Sequence, residues 1–246
     1  MPIRTLSLFA ALVFLAAGCA SDSGDADYDA AAESETPEMA DPHPDTSEPG
    51  WMPLFNEDLS NAIDPGGVWA WEEGVLTSSV DQGLFTQATY NDFVLDLEVM
   101  FDPGANSGII LHATETDTSA WIPYSIEVQI ADDYAMKDSA RHHQESGAFY
   151  GHVPPSEQRI KPAGEWNRYT VTARGDSLWT ALNGMEVSEI DMSEYHSAET
   201  NPDGTSIPPW LSNPLAELAT EGHIGIQGKH GETGVWFRNL MIKPME

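Results

Sequence analysis

The chain contains 246 residues, with 40 acidic and only 10 basic side chains, so its formal net charge at pH 7 is −30. Because proteins bind nucleic acid through clustered Lys and Arg, this balance excludes nucleic acid as a partner. The acidic surface suits a saline medium, in which salt screens the repulsion between carboxylates, but it is equally compatible with an ordinary exported protein. The length allows one large domain or two small ones.

The N-terminus has the pattern of an export signal. Arg4 precedes the apolar run Leu6–Ala17, which is too short to span a membrane, and Gly18 and Cys19 follow. The sequence LAAGC that ends at Cys19 resembles a bacterial lipobox, in which the cysteine is lipidated. We therefore expect residues 1–18 to be a signal peptide and the mature protein to be an exported lipoprotein with a lipid anchor in a membrane. Such a protein resides at the bacterial outer membrane, in the periplasm or on the cell surface. The alternative is a simple secretory signal followed by an incidental cysteine.

A flexible connection is expected after the lipobox. Residues 20–50 consist mainly of Ala, Asp, Glu, Ser and Pro and carry almost no aliphatic side chains. Such a segment buries too little apolar surface to offset the entropy lost on ordering. We predict that lipidated Cys19 and the residues up to 50 form a disordered acidic tether, and that the folded domain occupies residues 51–246.

Short strands separated by turns are predicted throughout the folded part. In chain order they lie in VWAWEEGVLTSS (68–79), LFTQATYNDFVLDLEVMF (84–101), SGIILHA (107–113), YSIEVQI (124–130), EWNRYTVTAR (165–174), SLWTALNGMEVSEID (177–191), HIGIQGKH (223–230) and VWFRNLMIK (235–243). Asn183-Gly184 predicts a tight hairpin, because both residues tolerate positive φ. The polar, Pro-rich segments 131–162 and 192–221 are expected to be long loops. This pattern predicts an all-β domain, an antiparallel sandwich of two sheets.

Two neighbouring strands carry the clearest alternation of apolar and polar side chains. One face of each strand is aliphatic and is expected to lie in the core, because successive side chains of a strand point to opposite faces. The other face carries His112 in the strand 107–113, and Glu127 and Gln129 in the strand 124–130. An imidazole, a carboxylate and an amide on one sheet face are candidates for chemistry.

A third strand completes the expected site. In GHIGIQ, Ile224 and Ile226 alternate with residues that face away from the core, among them Gln227. If the three strands are neighbours, one concave surface is lined by His112, Glu127, Gln129 and Gln227. Gly108 and Gly225 are expected on the same surface, where the absence of a side chain leaves room for the ring of a ligand to approach the sheet.

Seven short motifs occur in a fixed order along the domain. They are Asn106-Ser107-Gly108-Ile109, Glu127-Val128-Gln129-Ile130 followed by Asp132-Asp133, Gly147-Ala148-Phe149-Tyr150-Gly151, Pro162-Ala163-Gly164-Glu165-Trp166-Asn167, Asn183-Gly184, Gly225-Ile226-Gln227 and Phe237-Arg238-Asn239. In this order they resemble the 3-keto-disaccharide hydrolase domain family, over roughly Trp51 to Pro244. The resemblance implies a concanavalin A-like jelly roll, related in shape to laminarinase-type glycosidases, and an activity on glycosides whose sugar carries a ketone at C3.

The chain departs from the family pattern at two positions. His112 stands where the family usually has Arg at the end of its first central strand. Lys229 stands before His230 where the family usually has Asp. If either usual residue contacts the substrate, the specificity of this chain differs from that of its relatives.

A ketone at C3 determines which chemistry is expected. It acidifies the hydrogen at C2, so that a base removes this proton, the aglycone leaves C1 by elimination, and water then adds back to give net hydrolysis. We assign Glu127 or His112 as the base, and Gln129, Gln227 and His230 as groups that position the substrate or stabilise the oxyanion.

Further residues are expected to contact the substrate. Tyr150, with Trp121 and Trp210 on flanking loops, offers an aromatic surface for a sugar ring, and Asp132 is a further candidate for binding. A direct displacement needs two carboxyl groups that flank the anomeric bond. Glu127 and Asp132 are the nearest pair, but they do not share a strand face, which disfavours that mechanism.

Other functions remain open at this point. The same fold also serves non-catalytic carbohydrate-binding modules, and a structural surface protein is a third alternative. The histidines near 141–143 and His152 follow no metal-binding spacing and are expected in a solvated loop. The sequence thus points to a carbohydrate partner and to no cofactor or metal, with a divalent cation left as an alternative.

Overall fold

A computed structural model describes residues 42–64, 66–117, 119–135 and 143–245. The predicted signal peptide, Cys19 and the tether up to residue 41 lie outside these residues. In the described part of the chain, no helix is long and apolar enough to span a membrane.

Strands are the main regular elements of the described domain. They are β1 (Met52–Pro53), β2 (Ala62–Ile63), β3 (Trp69–Glu72), β4 (Val75–Ser78), β5 (Gly83–Tyr90), β6 (Phe93–Phe101), β7 (Asn106–Ala113), β8 (Ile126–Ala131), β9 (Asn167–Arg174), β10 (Ser177–Leu182), β11 (Met185–Asp191), β12 (Gly222–Gln227) and β13 (Val235–Pro244). Short 3₁₀ helices lie at Ile122–Tyr124, Met192–Glu194 and Leu215–Glu217. As predicted, Asn183 and Gly184 close the hairpin of β10 and β11 with φ values of 49° and 85°.

The strands form two antiparallel sheets. The larger sheet has the order β11-β10-β9-β6-β13-β4-β3, with β1 paired to β13, and the smaller has the order β2-β5-β12-β7-β8. Most neighbours are distant in sequence, as in a jelly roll. This architecture confirms the predicted all-β, two-sheet antiparallel sandwich.

The core lies between the two sheets and follows the predicted alternation. Leu95, Leu97 and Val99 of β6 face it from the larger sheet, and all three are fully buried. From the smaller sheet it receives fully buried aliphatic residues of β7, β8 and β12, namely Ile109, Leu111, Val128, Ile130, Ile224 and Ile226. The predicted core faces of the three central strands are therefore confirmed, and β12, β7 and β8 are neighbours as expected.

The end of the predicted tether differs from the expectation. Residues 42–50 lie within the described part, and His43 and Pro44 bind the outer face of the larger sheet. His43 donates from Nδ1 to the Thr170 hydroxyl at 2.7 Å, because its Nε2 accepts from the backbone N–H of Gly184 at 2.8 Å. The Pro44 carbonyl accepts from Arg168 at 2.6 Å. Residues 42–50 are therefore part of the folded domain, which was predicted to begin at Trp51.

A buried carboxyl explains why this segment is held in place. Asp96 is 3% exposed, and it accepts from Arg168 Nε at 3.0 Å and from the Thr170 hydroxyl at 2.5 Å. Burial nevertheless raises the pKa of Asp96 above its usual range. A buried carboxylate requires such partners. His43 and Pro44 bind the same Thr170 and Arg168, so they extend this network to the N-terminal segment.

Candidate active site

A cleft of about 310 Å³ lies over the outer face of the smaller sheet. It is lined by Asn106, Trp121, Ile122, Glu127, Gln129, Tyr150, Trp210, Gln227 and His230. Five of the predicted site residues therefore lie together: Glu127, Gln129, Tyr150, Gln227 and His230. Trp121 and Trp210 complete the aromatic surface that the sequence predicted, and Trp210 is half exposed at 51%.

Main-chain pairing brings the loop residue Tyr150 beside the sheet. The backbone of residues 147–150 continues the smaller sheet beyond β8, with the Tyr150 N–H donating to the Glu127 carbonyl and the Gly147 N–H to the Gln129 carbonyl, each at 2.9 Å. This pairing places Tyr150 next to Glu127. The short ordered piece predicted at Gly147–Gly151 thus serves to position a wall of the cleft.

Glu127 lies across the sheet and fills space that was expected to be open. A Cβ atom added to Gly108 would collide with the Glu127 carboxyl, and one added to Gly225 would collide with the ring of Phe85. The prediction that these glycines leave room for the ring of a ligand is therefore wrong. Gly108 instead makes room for the Glu127 side chain, and Gly225 makes room for Phe85.

The surroundings of Glu127 make its carboxyl unusually basic. The side chain is only partly exposed, and no hydrogen bond from a described residue to its oxygens lowers its pKa. Burial raises the pKa of the Glu127 carboxyl to about 8, and the negative charge of Asp81 adds to the increase. At neutral pH the group therefore lies close to its own pKa, which is the condition that favours general acid–base catalysis.

Asp81 connects two of the predicted residues. His230 donates from Nδ1 to one Asp81 oxygen at 2.7 Å, and Gln227 donates from Nε2 to the other at 3.3 Å. Asp81 thereby orients both side chains at the edge of the cleft. Asp81 was not predicted as a site residue, because its position depends on the pairing of Gln227 with Gly83, and strands β5 and β12 are far apart in the chain.

Gln129 is fixed in the floor of the cleft. It is 2% exposed, and its Nε2 donates to Asn106 Oδ1 at 2.7 Å and to the Ser107 carbonyl at 3.0 Å. Both amide hydrogens are thus used, so Gln129 offers a sugar only its Oε1 acceptor. Asn106 was not predicted as a site residue, but it lines the cleft, and its Nδ2 is an amide donor that can bond a sugar there.

His112 does not lie on the outer face, and its predicted place there is wrong. Strand β7 has an extra residue opposite β12, because Ala113 pairs with His223 whereas Ile110 pairs with Gly225. At this bulge His112 has a φ of 54°, and its ring turns between the sheets to meet Phe93 edge-on at 5.8 Å. It is 1% exposed, and burial lowers its pKa.

Asp132 does not line the cleft, in contrast to its prediction as a binding residue. Its carboxylate accepts from the Gly104 N–H at 2.8 Å, and the side chain is 5% exposed. The position follows the end of β8, where the side chain bonds the turn between β6 and β7. Asp132 therefore stabilises a loop, which is the commoner use of a carboxyl at a strand end.

His152 also differs from its prediction, since it is buried rather than solvated. It is 5% exposed, and its Nδ1 lies 2.9 Å from Asn201 Oδ1. Together with Glu127 and Tyr150 it lines a small cavity that adjoins the cleft. The sequence offered no signal for this contact, because Asn201 lies in the second long loop, nearly fifty residues away.

Potential metal ligands are dispersed in the described part of the chain. No group of three or more His, Cys, Asp or Glu side chains there is arranged to hold a metal ion.

Comparison with known proteins identifies the domain. Residues 50–243 match the family of 3-keto-alpha-glucoside-1,2-lyase-like domains. The chain belongs to this family. The match covers both sheets and every residue that lines the cleft, so the resemblance expected from the seven motifs is confirmed.

Several relatives of this 3-keto-alpha-glucoside-1,2-lyase-like domain are known. A 3-keto-disaccharide hydrolase of Bacteroides thetaiotaomicron is 26% identical over 175 residues, which are 64% of this chain and 60% of that protein. A crystal structure of a candidate glycosyl hydrolase from Parabacteroides distasonis has a TM-score of 0.75 and 42% identity, covering 79% of this chain and 99% of that one. A second candidate glycosyl hydrolase of the same organism has a TM-score of 0.67 and 23% identity over 82% and 96% of the chains, and it shows the shared fold.

Proposed function

We propose that this protein cleaves glycosides whose sugar carries a ketone at C3, with Glu127 as the base that removes the C2 proton. The observation that carries the proposal is a carboxyl in the cleft whose pKa is raised to about 8 and which no described donor bonds. Such a carboxylate is a stronger base than an ordinary one, as the removal of a proton from carbon requires. The 3-keto-disaccharide hydrolase among its relatives supports this choice of substrate.

The reaction can be written with the groups of the cleft. The Glu127 carboxylate takes the C2 proton, and the electrons of the C–H bond form an enolate with the C3 ketone. Asn106 Nδ2 is the donor placed to bond the enolate oxygen, and His230, held by Asp81, helps to position the sugar. The enolate then expels the aglycone oxygen from C1. This oxygen takes a proton from water and the hydroxide adds at C1. Glu127, whose carboxyl proton has meanwhile exchanged with the solvent, then protonates C2.

Direct displacement at the anomeric carbon fits the cleft less well. Ordinary glycosidases use two carboxyl groups on opposite sides of the scissile bond. Among the described residues that line the cleft, Glu127 is the one acidic side chain, and Asp81 is bonded to His230 and Gln227. One basic carboxyl with neighbouring hydrogen-bond donors suits proton abstraction next to a ketone.

The pH dependence of the reaction should report the ionisation of Glu127. A base must be deprotonated, so kcat/KM should increase about tenfold per pH unit below a pKa of about 8 and level off above it. The measurement is a pH profile of kcat/KM with a 3-keto-disaccharide. If the rate instead falls as the pH rises through 8, Glu127 acts as an acid and its proposed role is wrong.

A comparison of substrates tests the function itself. The purified protein should cleave 3-keto-disaccharides and leave the corresponding unoxidised disaccharides intact, because only the ketone acidifies the C2 hydrogen. Product formation is followed by chromatography, with calorimetry to measure binding of each sugar. If the protein binds sugars but turns over no 3-keto substrate, the non-catalytic binding module is the better description.

We also propose that the protein is exported and anchored through lipidated Cys19. The LAAGC sequence after a short apolar run supports this proposal. Cys19→Ser should leave the precursor unprocessed or the protein free of membranes, as measured by fractionation and by the mass of the mature N-terminus. A mutant that is still processed and still found with membranes would contradict lipidation.

A further inference from the structure

The small cavity beside the cleft has a polar wall on two sides. Glu127 borders both the cavity and the cleft, and His152 lines the cavity from the loop that follows Tyr150. The space is large enough for about one water molecule. A water needs two or more polar partners to occupy such a place, and these two side chains provide them.

The hydrogen bonds of Asn201 determine which nitrogen of His152 carries the hydrogen and which is left as an acceptor. Asn201 Nδ2 donates to the Gly151 carbonyl at 2.9 Å and to the Thr205 hydroxyl at 3.1 Å, so Asn201 Oδ1 is an acceptor. His152 Nδ1 must therefore carry the hydrogen and donate to it, at 2.9 Å. Burial lowers the pKa of His152 and keeps the ring neutral. Nε2 is then the acceptor that remains, and no described residue bonds it.

We propose that His152 is a positioning residue that holds a water molecule against the Glu127 carboxylate. The water donates one O–H to His152 Nε2 and the other to Glu127. Because Nε2 accepts and does not donate, the water bonds it through one O–H group. The second O–H group is then available to the carboxylate. This proposal rests on the proposed role of Glu127 as the base, and it gives that base a fixed orientation and a partner for its ionised form.

The charged and titratable groups around the pair come from several elements. Asp81, which lies in the turn before β5 and is bonded to His230, adds to the increase in the pKa of Glu127 that burial causes. His143 adds to the decrease in the pKa of His152 that burial causes. Tyr150 lines the cavity, and Tyr195 meets the His152 ring edge-on at 5.6 Å. The variants proposed below leave all of these groups in place. A hydrogen bond donated to a carboxylate lowers its pKa, so loss of the water should raise the pKa of Glu127 further.

The direct test is a ¹³C NMR titration of the Glu127 carboxyl in the full-length protein without substrate, assigned with Glu127→Gln. His152→Phe removes the acceptor and should raise the pKa of Glu127 by about 1, which lowers kcat/KM at pH 7 about tenfold and leaves the rate at high pH nearly unchanged. His152→Gln keeps an acceptor and should restore most of the wild-type titration. His152→Leu carries the same expectation as His152→Phe if the latter does not fold.

His112→Gln is the matched control, because His112 is equally buried but lies between the sheets, away from the cavity. It should leave the titration of Glu127 unchanged. An unchanged pKa of Glu127 in His152→Phe or His152→Leu would overturn the proposal. A wild-type protein that turns over no 3-keto substrate would instead overturn the proposed function, since the titration needs no substrate.

Discussion

Glu127→Gln should lower kcat on a 3-keto-disaccharide by about a hundredfold or more, the usual contribution of a general base. The amide keeps the size and shape of the carboxyl, so the side chain still fills the space above Gly108. Substrate binding should therefore change little. The measurement is steady-state kinetics together with calorimetric binding of the substrate to the inactive variant.

The stability of the same variant distinguishes loss of a base from loss of the fold. A carboxyl whose pKa is raised on folding stabilises the protein fully below its unfolded pKa, and this contribution is lost as the pH rises through the folded value of about 8. Glu127→Gln lacks this dependence, so it should melt at a higher temperature than the wild type at pH 9 and at a similar temperature at pH 4.

Glu189→Gln is the control for this pair of measurements. Glu189 is an exposed residue of β11 on the larger sheet, so its replacement should change neither kcat nor the pH dependence of melting. Full activity of Glu127→Gln with a competent substrate would show that Glu127 is not the base. The segment 131–162 would then be the next place to search.

Arg168→Met should reduce the free energy of unfolding by about 3 kcal/mol, because it leaves Asp96 buried with one charged partner fewer. Arg168 bonds Asp96 at 3.0 Å and also holds the Pro44 carbonyl, so the N-terminal segment should loosen as well. The measurement is urea unfolding at pH 7. Since burial raises the pKa of Asp96, the loss should diminish as the pH falls and the carboxyl takes up a proton.

An exposed ion pair provides the matched control for Arg168. Arg159 lies 3.6 Å from Glu157, and both side chains are more than a third exposed. Arg159→Met should therefore cost less than about 1 kcal/mol. If Arg168→Met costs no more than Arg159→Met, the buried network is not what holds residues 42–50 to the larger sheet.

Alternation within a strand was sufficient to predict much of the fold and part of the site. Glu127 and Gln129 of β8, and Gln227 of β12, lie on the predicted face because each strand keeps its period of two along these residues. The motifs around Tyr150 and His230 were also placed correctly at the cleft. These features depend on local sequence, which a single chain reveals.

Features that depend on pairing between distant segments could not be predicted. The extra residue in β7 is visible only in its register with β12, and it turns His112 into the core. Asp81 and His152 reach the site through contacts with residues far away in the chain, Gln227 and Asn201 respectively. The sequence gives the composition of these loops but not which of their side chains meet.

Incorporation of solvent deuterium at C2 tests the central claim most directly. The wild-type protein and Glu127→Gln are incubated with a 3-keto-disaccharide in D₂O, and C2 of the released 3-keto sugar is examined by NMR and mass spectrometry. A sample without protein measures spontaneous exchange. If Glu127 removes the C2 proton, the wild-type product carries deuterium at C2 well above this background and the variant does not. A wild-type product that keeps its original hydrogen at C2 would contradict proton abstraction and indicate direct displacement at C1.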